Sequence, residues 1–215
     1  MTITDFQDII RNCFSQDSNI NLIQAELVII ELIKRQHNPY DTIITELNLQ
    51  INQVHNSFQQ ITSPHFSSNF IMSYNRYFSG VKKIRQLMKY FNQYFNFVNT
   101  KDIMYTLGSY VFYKNIFDKE ETSYQKLINN LKNFNGKEVI DIMRILYHYI
   151  SFVKYFKPTE ELNFIHQNPQ LDFSKSKLDY VIEDIIDNIN KDIIELIKCN
   201  EDDKRRNILK QIIHL

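Results

Sequence analysis

Three glycines and four prolines in 215 residues leave this chain very few places to turn sharply. Average proteins carry about 7% glycine and about 5% proline. Tight hairpins need turn glycines, and doubly wound α/β folds need glycine where the backbone meets a phosphate. A chain so poor in both breakers can build little except helices joined by short loops. The expected fold class is therefore all-α. The length suits one large domain or two small ones, and it is enough to bury a proper core.

Charge and composition narrow the function classes. Lys and Arg number 25, as do Asp and Glu, so the formal net charge is zero. That balance lacks the basic footprint of a nucleic-acid binder or of a polybasic membrane binder. No window approaches 18 uncharged apolar residues, so no membrane span is expected. The 32 Ile and 23 Asn are both written by AT-rich codons, which marks an AT-rich genome and places Ile in helix cores where Leu is usual. None of the Asn residues opens an Asn-x-Ser/Thr sequon. The opening MTITDFQDIIRN is acidic where a signal peptide needs a basic region. Cys13 and Cys199 lie too far apart in sequence to imply a disulfide framework. Together these features predict an intracellular protein of the cytoplasm or nucleus.

Apolar spacing supplies the elements. Phe6, Ile9, Ile10, Cys13 and Phe14 make one helical stripe, with Thr4 or Asp5 as its cap. A second helix from about Asn21 to Gln36 is apolar on more than one face through Ile23, Leu27, Ile29, Ile30 and Ile33. Asn38-Pro39 opens a third as cap and first helical residue. In the fourth, Phe70, Tyr74, Tyr77, Val81, Ile84, Met88, Phe91, Phe95 and Val98 alternate steps of four and three. Such a 3.5-residue repeat fits a coiled-coil dimer. Ile71, Phe78, Leu87 and Tyr90 widen the apolar face, however, and a wide face favours a helix packed on several neighbours. Met104, Leu107, Gly108, Val111 and Phe112 mark a fifth helix after Thr100, and Asp118 is expected to cap a sixth that stops at Asn135-Gly136. Four more follow, giving ten helices that divide as five and five near Asp118.

No catalytic constellation is visible. None of the six histidines has a His, Cys or carboxylate partner at metal-ligand spacing in a His-Glu-x-x-His or Cys-x-x-Cys pattern. Gly80, Gly108 and Gly136 are too scattered to build a phosphate loop. Ser123 and Lys126 match Ser-x-x-Lys without any accompanying motif. Cys13 sits on the apolar stripe of its helix, where a small core thiol is expected rather than a nucleophile. No enzyme activity, cofactor or metal is expected.

Three stretches carry a family resemblance. Val81–Phe95 has an Ile-Arg pair followed by a Tyr-Phe-Asn-Gln-Tyr run. Met104–Phe117 contains Tyr-Thr-Leu-Gly, with an aromatic before a basic residue further on. Leu127–Leu131 is followed by Asn135-Gly-Lys-Glu-Val-Ile-Asp141. In this order and spacing, over about 75 residues, they resemble the fourth helix, the fifth helix and the sixth-to-seventh turn of the cullin N-terminal region. Lys137 is an insertion in the family's Gly-Glu-hydrophobe-hydrophobe-Asp. The nearest likeness is to the cullin that binds BTB-domain adaptors, and ten helices agree with two five-helix cullin repeats.

The resemblance implies two such repeats, 1–117 and a more divergent 118–215, in an elongated bundle. It also implies a non-enzymatic module that binds a BTB-fold or Skp-type ubiquitin-ligase adaptor. A full cullin continues into a third repeat and a RING-binding domain, so a chain of this length is expected to act as a truncated mimic or decoy. The adaptor surface carried over comprises Leu22, Ala25, Glu26 and Ile30 on the second helix and Tyr105 on the fifth. Of these only Tyr105 keeps the family's residue: Leu22 stands for an aromatic, and Glu26 and Ile30 stand for tyrosines. Ser109 and Phe112 lie one and two turns beyond Tyr105 and complete an expected strip on the edge of the core face. The competing expectation is a structural helical-repeat scaffold or tether without adaptor binding.

Overall fold

The computed structural model describes residues 3–15, 20–35, 37–59, 65–94, 103–118 and 137–155, with 191, 194, 206, 207 and 210 singly. The fold is all-α, and no strand occurs among the described residues. Six α-helices appear in order: α1 (Ile3–Cys13), α2 (Leu22–Lys34), α3 (Pro39–Gln59), α4 (Phe66–Tyr94), α5 (Ile103–Tyr113) and α6 (Lys137–Tyr155). The helices expected between 119 and 135 and beyond Pro158 lie outside the described residues, as do Thr100, Phe95 and Val98. Two repeats of five helices therefore cannot be traced on the described elements.

Local chemistry accounts for the helix starts. Asn21 precedes α2, and its side-chain oxygen accepts a hydrogen bond from the Gln24 amide at 3.2 Å. Asn38 does the same for the Tyr40 amide at 3.0 Å, with Pro39 as the first residue of α3. Two starts come earlier than the spacing predicts. Ile3 already opens α1, which puts Thr4 and Asp5 inside its first turn rather than before it. Phe66 opens α4 one turn ahead of Phe70, because Phe66 and Ser67 are themselves buried and extend the helical stripe. Asp118 ends a π-helical turn, Lys114–Asp118, that continues α5. That continuation carries Ile116 and Phe117 into the core, both nearly inaccessible.

The described residues gather into two compact units. The first takes those of Met1–Val54 and Ser73–Phe112. Its axis is the heptad seam of α4, where Tyr77, Val81, Ile84, Met88 and Phe91 are all buried within the single chain. Three neighbours cover them. Phe14, after α1, packs 6.0 Å from Tyr77, centroid to centroid. Tyr40 of α3 meets Phe91 edge-on at 6.0 Å, and its hydroxyl donates to Asn92 Oδ1 at 2.6 Å. From α5, the carbonyl of Gly108 accepts a 3.0 Å hydrogen bond from the Tyr77 hydroxyl. This stretch of the seam is thus buried within the chain itself, as the wide apolar face predicts.

The end of α1 is seated on one face of α4 by residues at steps of four and three. Arg76 Nε donates to the Phe14 carbonyl at 2.9 Å, and Lys83 Nζ donates to the Ser15 carbonyl at 3.0 Å. Both cations meet the negative end of the α1 dipole. Between them, Gly80 leaves room for the Phe14 ring: a Cβ there would lie 2.8 Å from Phe14 Cγ.

The second unit takes the described residues of His55–Met72, Tyr113–Lys157 and Ser174–Leu215. Phe66 and Phe70 stack at 5.6 Å. Tyr113 and Phe117 close on Tyr149 of α6 at 5.3 and 4.6 Å, beside buried Ile142, Met143, Ile145 and Leu146.

Candidate functional site

Helix α2 is apolar on two opposite faces. Ala25, Val28, Ile29 and Leu32 recur at i, i+3, i+4 and i+7, and all are buried. Ile23, Leu27 and Ile30 recur at i, i+4 and i+7 on the other side, 72%, 51% and 47% exposed. At 3.6 residues per turn these three fall within about 60° of one another, roughly opposite the buried stripe. Isolated exposed apolar residues are ordinary, but three in register on one helix make the outer face of α2 the candidate interaction surface. Glu26, half-buried, borders this stripe on one side. Glu31 borders it on the other and is paired with Arg35 at 3.0 Å.

The carried-over residues separate on this geometry. Ile30 belongs to the exposed stripe and Glu26 to its edge, whereas Ala25 is buried on the opposite face. Leu22 opens α2, but its side chain is outside the described residues. On α5, Tyr105 is 45% exposed and its ring lies 5.9 Å from Phe78 of α4. Every other residue of α5 except half-buried Thr106 is buried. Ser109 and Phe112 are therefore core residues rather than a strip continuing from Tyr105. Phe112 is wedged among Tyr74, Tyr77 and Phe78 at 5.2–5.6 Å, which holds α5 close to α4 and turns Ser109 inward with it. The Ser109 hydroxyl finds no hydrogen-bond partner among the described residues.

Sequence reasoning did not assign Ile23 and Leu27 to a site, although the signal was present. A helix with one buried face has no packing use for apolar residues diametrically opposite it. Buried Glu46 of α3 was also missed. Its Oε1 accepts from Gln7 Nε2 at 2.9 Å and from Arg11 Nη2 at 3.0 Å, so the carboxylate ties α1 to α3. It falls one turn after Ile43 and beside Leu47, on a stripe that is otherwise apolar.

Cys13 is buried and its Sγ donates to the Ile9 carbonyl at 3.4 Å. Burial pushes its thiol up to about 12, with Lys83 opposing the shift. A thiol so hard to ionise is a poor nucleophile. A cleft of about 30 Å³ lined by Phe14, Gln50, Arg76 and Tyr77 has room for one or two waters. No cluster of three His, Cys, Asp or Glu among the described residues could hold a metal ion, and no described helix is long and apolar enough to cross a membrane. Against known proteins, no family model, curated protein or solved structure matches this chain.

Proposed function

We propose that this chain is a non-enzymatic protein-interaction module of the cullin-repeat kind, built from two five-helix repeats, that binds a BTB-fold or Skp-type ubiquitin-ligase adaptor. One observation carries the reading. The two helices that the resemblance assigns to the adaptor surface each expose apolar side chains: Ile23, Leu27 and Ile30 on α2, and Tyr105 on α5. Buried Ala25, Ser109 and Phe112 serve this surface by fixing the backbones that present it. The contact set that follows is Ile23, Glu26, Leu27, Ile30 and Tyr105.

The test is direct binding of the purified chain to an immobilised BTB-fold adaptor and to a Skp-type adaptor. Binding to one of them is expected, with Leu27→Asp and Tyr105→Ala weakening it together. As a hot-spot aromatic, Tyr105 should account for about 2 kcal/mol or more of affinity. Its half-exposed ring should leave the unfolding midpoint nearly unchanged. Failure of both adaptors to bind would overturn the reading, and so would a Tyr105→Ala variant that unfolds. The alternative, a helical-repeat scaffold without adaptor binding, draws on Glu26 and Ile30, where the family has tyrosines.

A further inference from the structure

Any partner that covers the outer stripe of α2 also meets two charges at its margin. Glu26 stands about 60° to one side of the stripe, near its N-terminal half. Lys34 continues the line of the stripe one turn beyond Ile30, about 12 Å from Glu26 along the axis. Neither carries an ion pair among the described residues, while Glu31 on the far flank is already matched by Arg35. Glu26 is half-buried before any partner arrives. Removing more of its water without a counter-charge is costly.

The backbone of α2 limits the occupant's shape. Its amides and carbonyls are used within the helix, so an incoming strand finds no edge on which to add. What α2 offers is a ridge of three side chains at i, i+4 and i+7, the form that seats in the groove of another helix. Three side chains are also a small footprint beside the roughly 800 Å² per partner of a standard interface. One amphipathic helix is the occupant that matches both the ridge and its size.

We infer that the outer face of α2 receives an amphipathic helix whose apolar stripe is flanked by a basic residue that pairs with Glu26 and, about two turns along, an acidic residue that pairs with Lys34. The inference rests on the adaptor reading only in taking α2 as the docking face.

Three synthetic 18-residue helical peptides sharing one Leu stripe test it. One carries a Lys flank and a Glu flank two turns apart, one carries Lys at both places, and one carries Glu at both. Titration should rank the mixed peptide about threefold to tenfold tighter than either uniform one, the scale expected of two exposed pairs. The ranking holds whichever way the peptide lies, because the mixed peptide can turn end for end. It should vanish in the E26Q/K34Q double variant, and Leu27→Asp should abolish binding of all three. Equal affinities would overturn the inference. So would a ranking that survives E26Q/K34Q, or a wild-type dimer that Leu27→Asp makes monomeric, which would name a second copy as the occupant. Adaptor binding can fail while the peptide ranking holds, and the reverse, so the two failures are distinguishable.

Discussion

At Gly108 α5 packs against α4 with no room for a side chain, and replacing it tests how the bundle is assembled. A Cβ on Gly108 would stand 2.7 Å from Val81 Cγ2 and 2.8 Å from Cγ1. Ordinary carbon contacts lie at about 3.5–4.0 Å, so Gly108→Ala must part the helices by roughly 1 Å or turn Val81 off its rotamer. Val81 is β-branched and buried, with one strongly preferred χ1 in a helix. Overpacking of this kind costs about 1–3 kcal/mol. Parting the helices also stretches the Tyr77–Gly108 hydrogen bond, worth about 1 kcal/mol. Against these stands the gain of about 1 kcal/mol for Ala over Gly inside a helix. The net expectation is a loss of about 1–3 kcal/mol. In a Val81→Ala background both clashing atoms are gone, so Gly108→Ala should become neutral or stabilising by up to about 1 kcal/mol. Urea unfolding of the two single variants and the double variant, followed by far-ultraviolet circular dichroism, gives the coupling, expected at about 1–4 kcal/mol. An equal cost of Gly108→Ala in both backgrounds would refute the close approach.

Arg11→Ala should destabilise by about 1–3 kcal/mol, because it strips buried Glu46 of its counter-charge while half-exposed Arg11 itself buries little. Adding Glu46→Gln should recover part of the loss in thermal unfolding; no recovery would mean that the pair is not what ties α1 to α3. Alkaline pH should destabilise the fold. Burial raises the Cys13 thiol from 9.0 to about 12 and lifts the Tyr77 hydroxyl well above 10.0, so both groups stay neutral when folded and ionise on unfolding. The unfolded chain then binds fewer protons, and stability that is complete below about pH 9 falls as pH rises toward 12. Urea midpoints measured between pH 8 and 11 should show this decline, flattened in Cys13→Ala, and the native thiol should resist alkylation at pH 8.

Much of the bundle was legible because burial and periodicity agree wherever one face of a helix is used. The steps of four and three from Tyr77 to Phe91 in α4, the stripe Phe6–Ile10–Cys13 and the face Met104–Leu107–Gly108–Val111 all appear as buried rows. Caps were legible where the side chain bonds its own backbone, as at Asn38. They failed at Thr4 and Asp5, since a helix start also depends on whether earlier residues pack. Long-range pairs were not legible at all. Nothing local says that Arg76 and Lys83 reach the carbonyls of Phe14 and Ser15, or that Glu46 meets Arg11, because those partners are 35 to 68 residues apart.

The candidate surface was half legible for a related reason. Periodicity says that two side chains share a face, but not which face a neighbour covers. On α5 the strip Tyr105–Ser109–Phe112 is well spaced, yet it crosses from solvent into the core within one turn, because Phe112 meets three rings of α4. On α2 both faces are apolar, and only the packing of the bundle decides that Ala25 faces inward while Leu27 faces out. Ile23, Leu27 and Ile30 are unneeded by the core, and exposed Ile and Leu favour aggregation unless something covers them. A helix of this length forms readily with polar residues at those positions, so neither helix propensity nor core packing calls for three large apolar side chains there. On the proposed function, their use lies in binding a partner. A partner that takes the stripe makes α2 a two-sided layer, one side committed on folding and the other on binding.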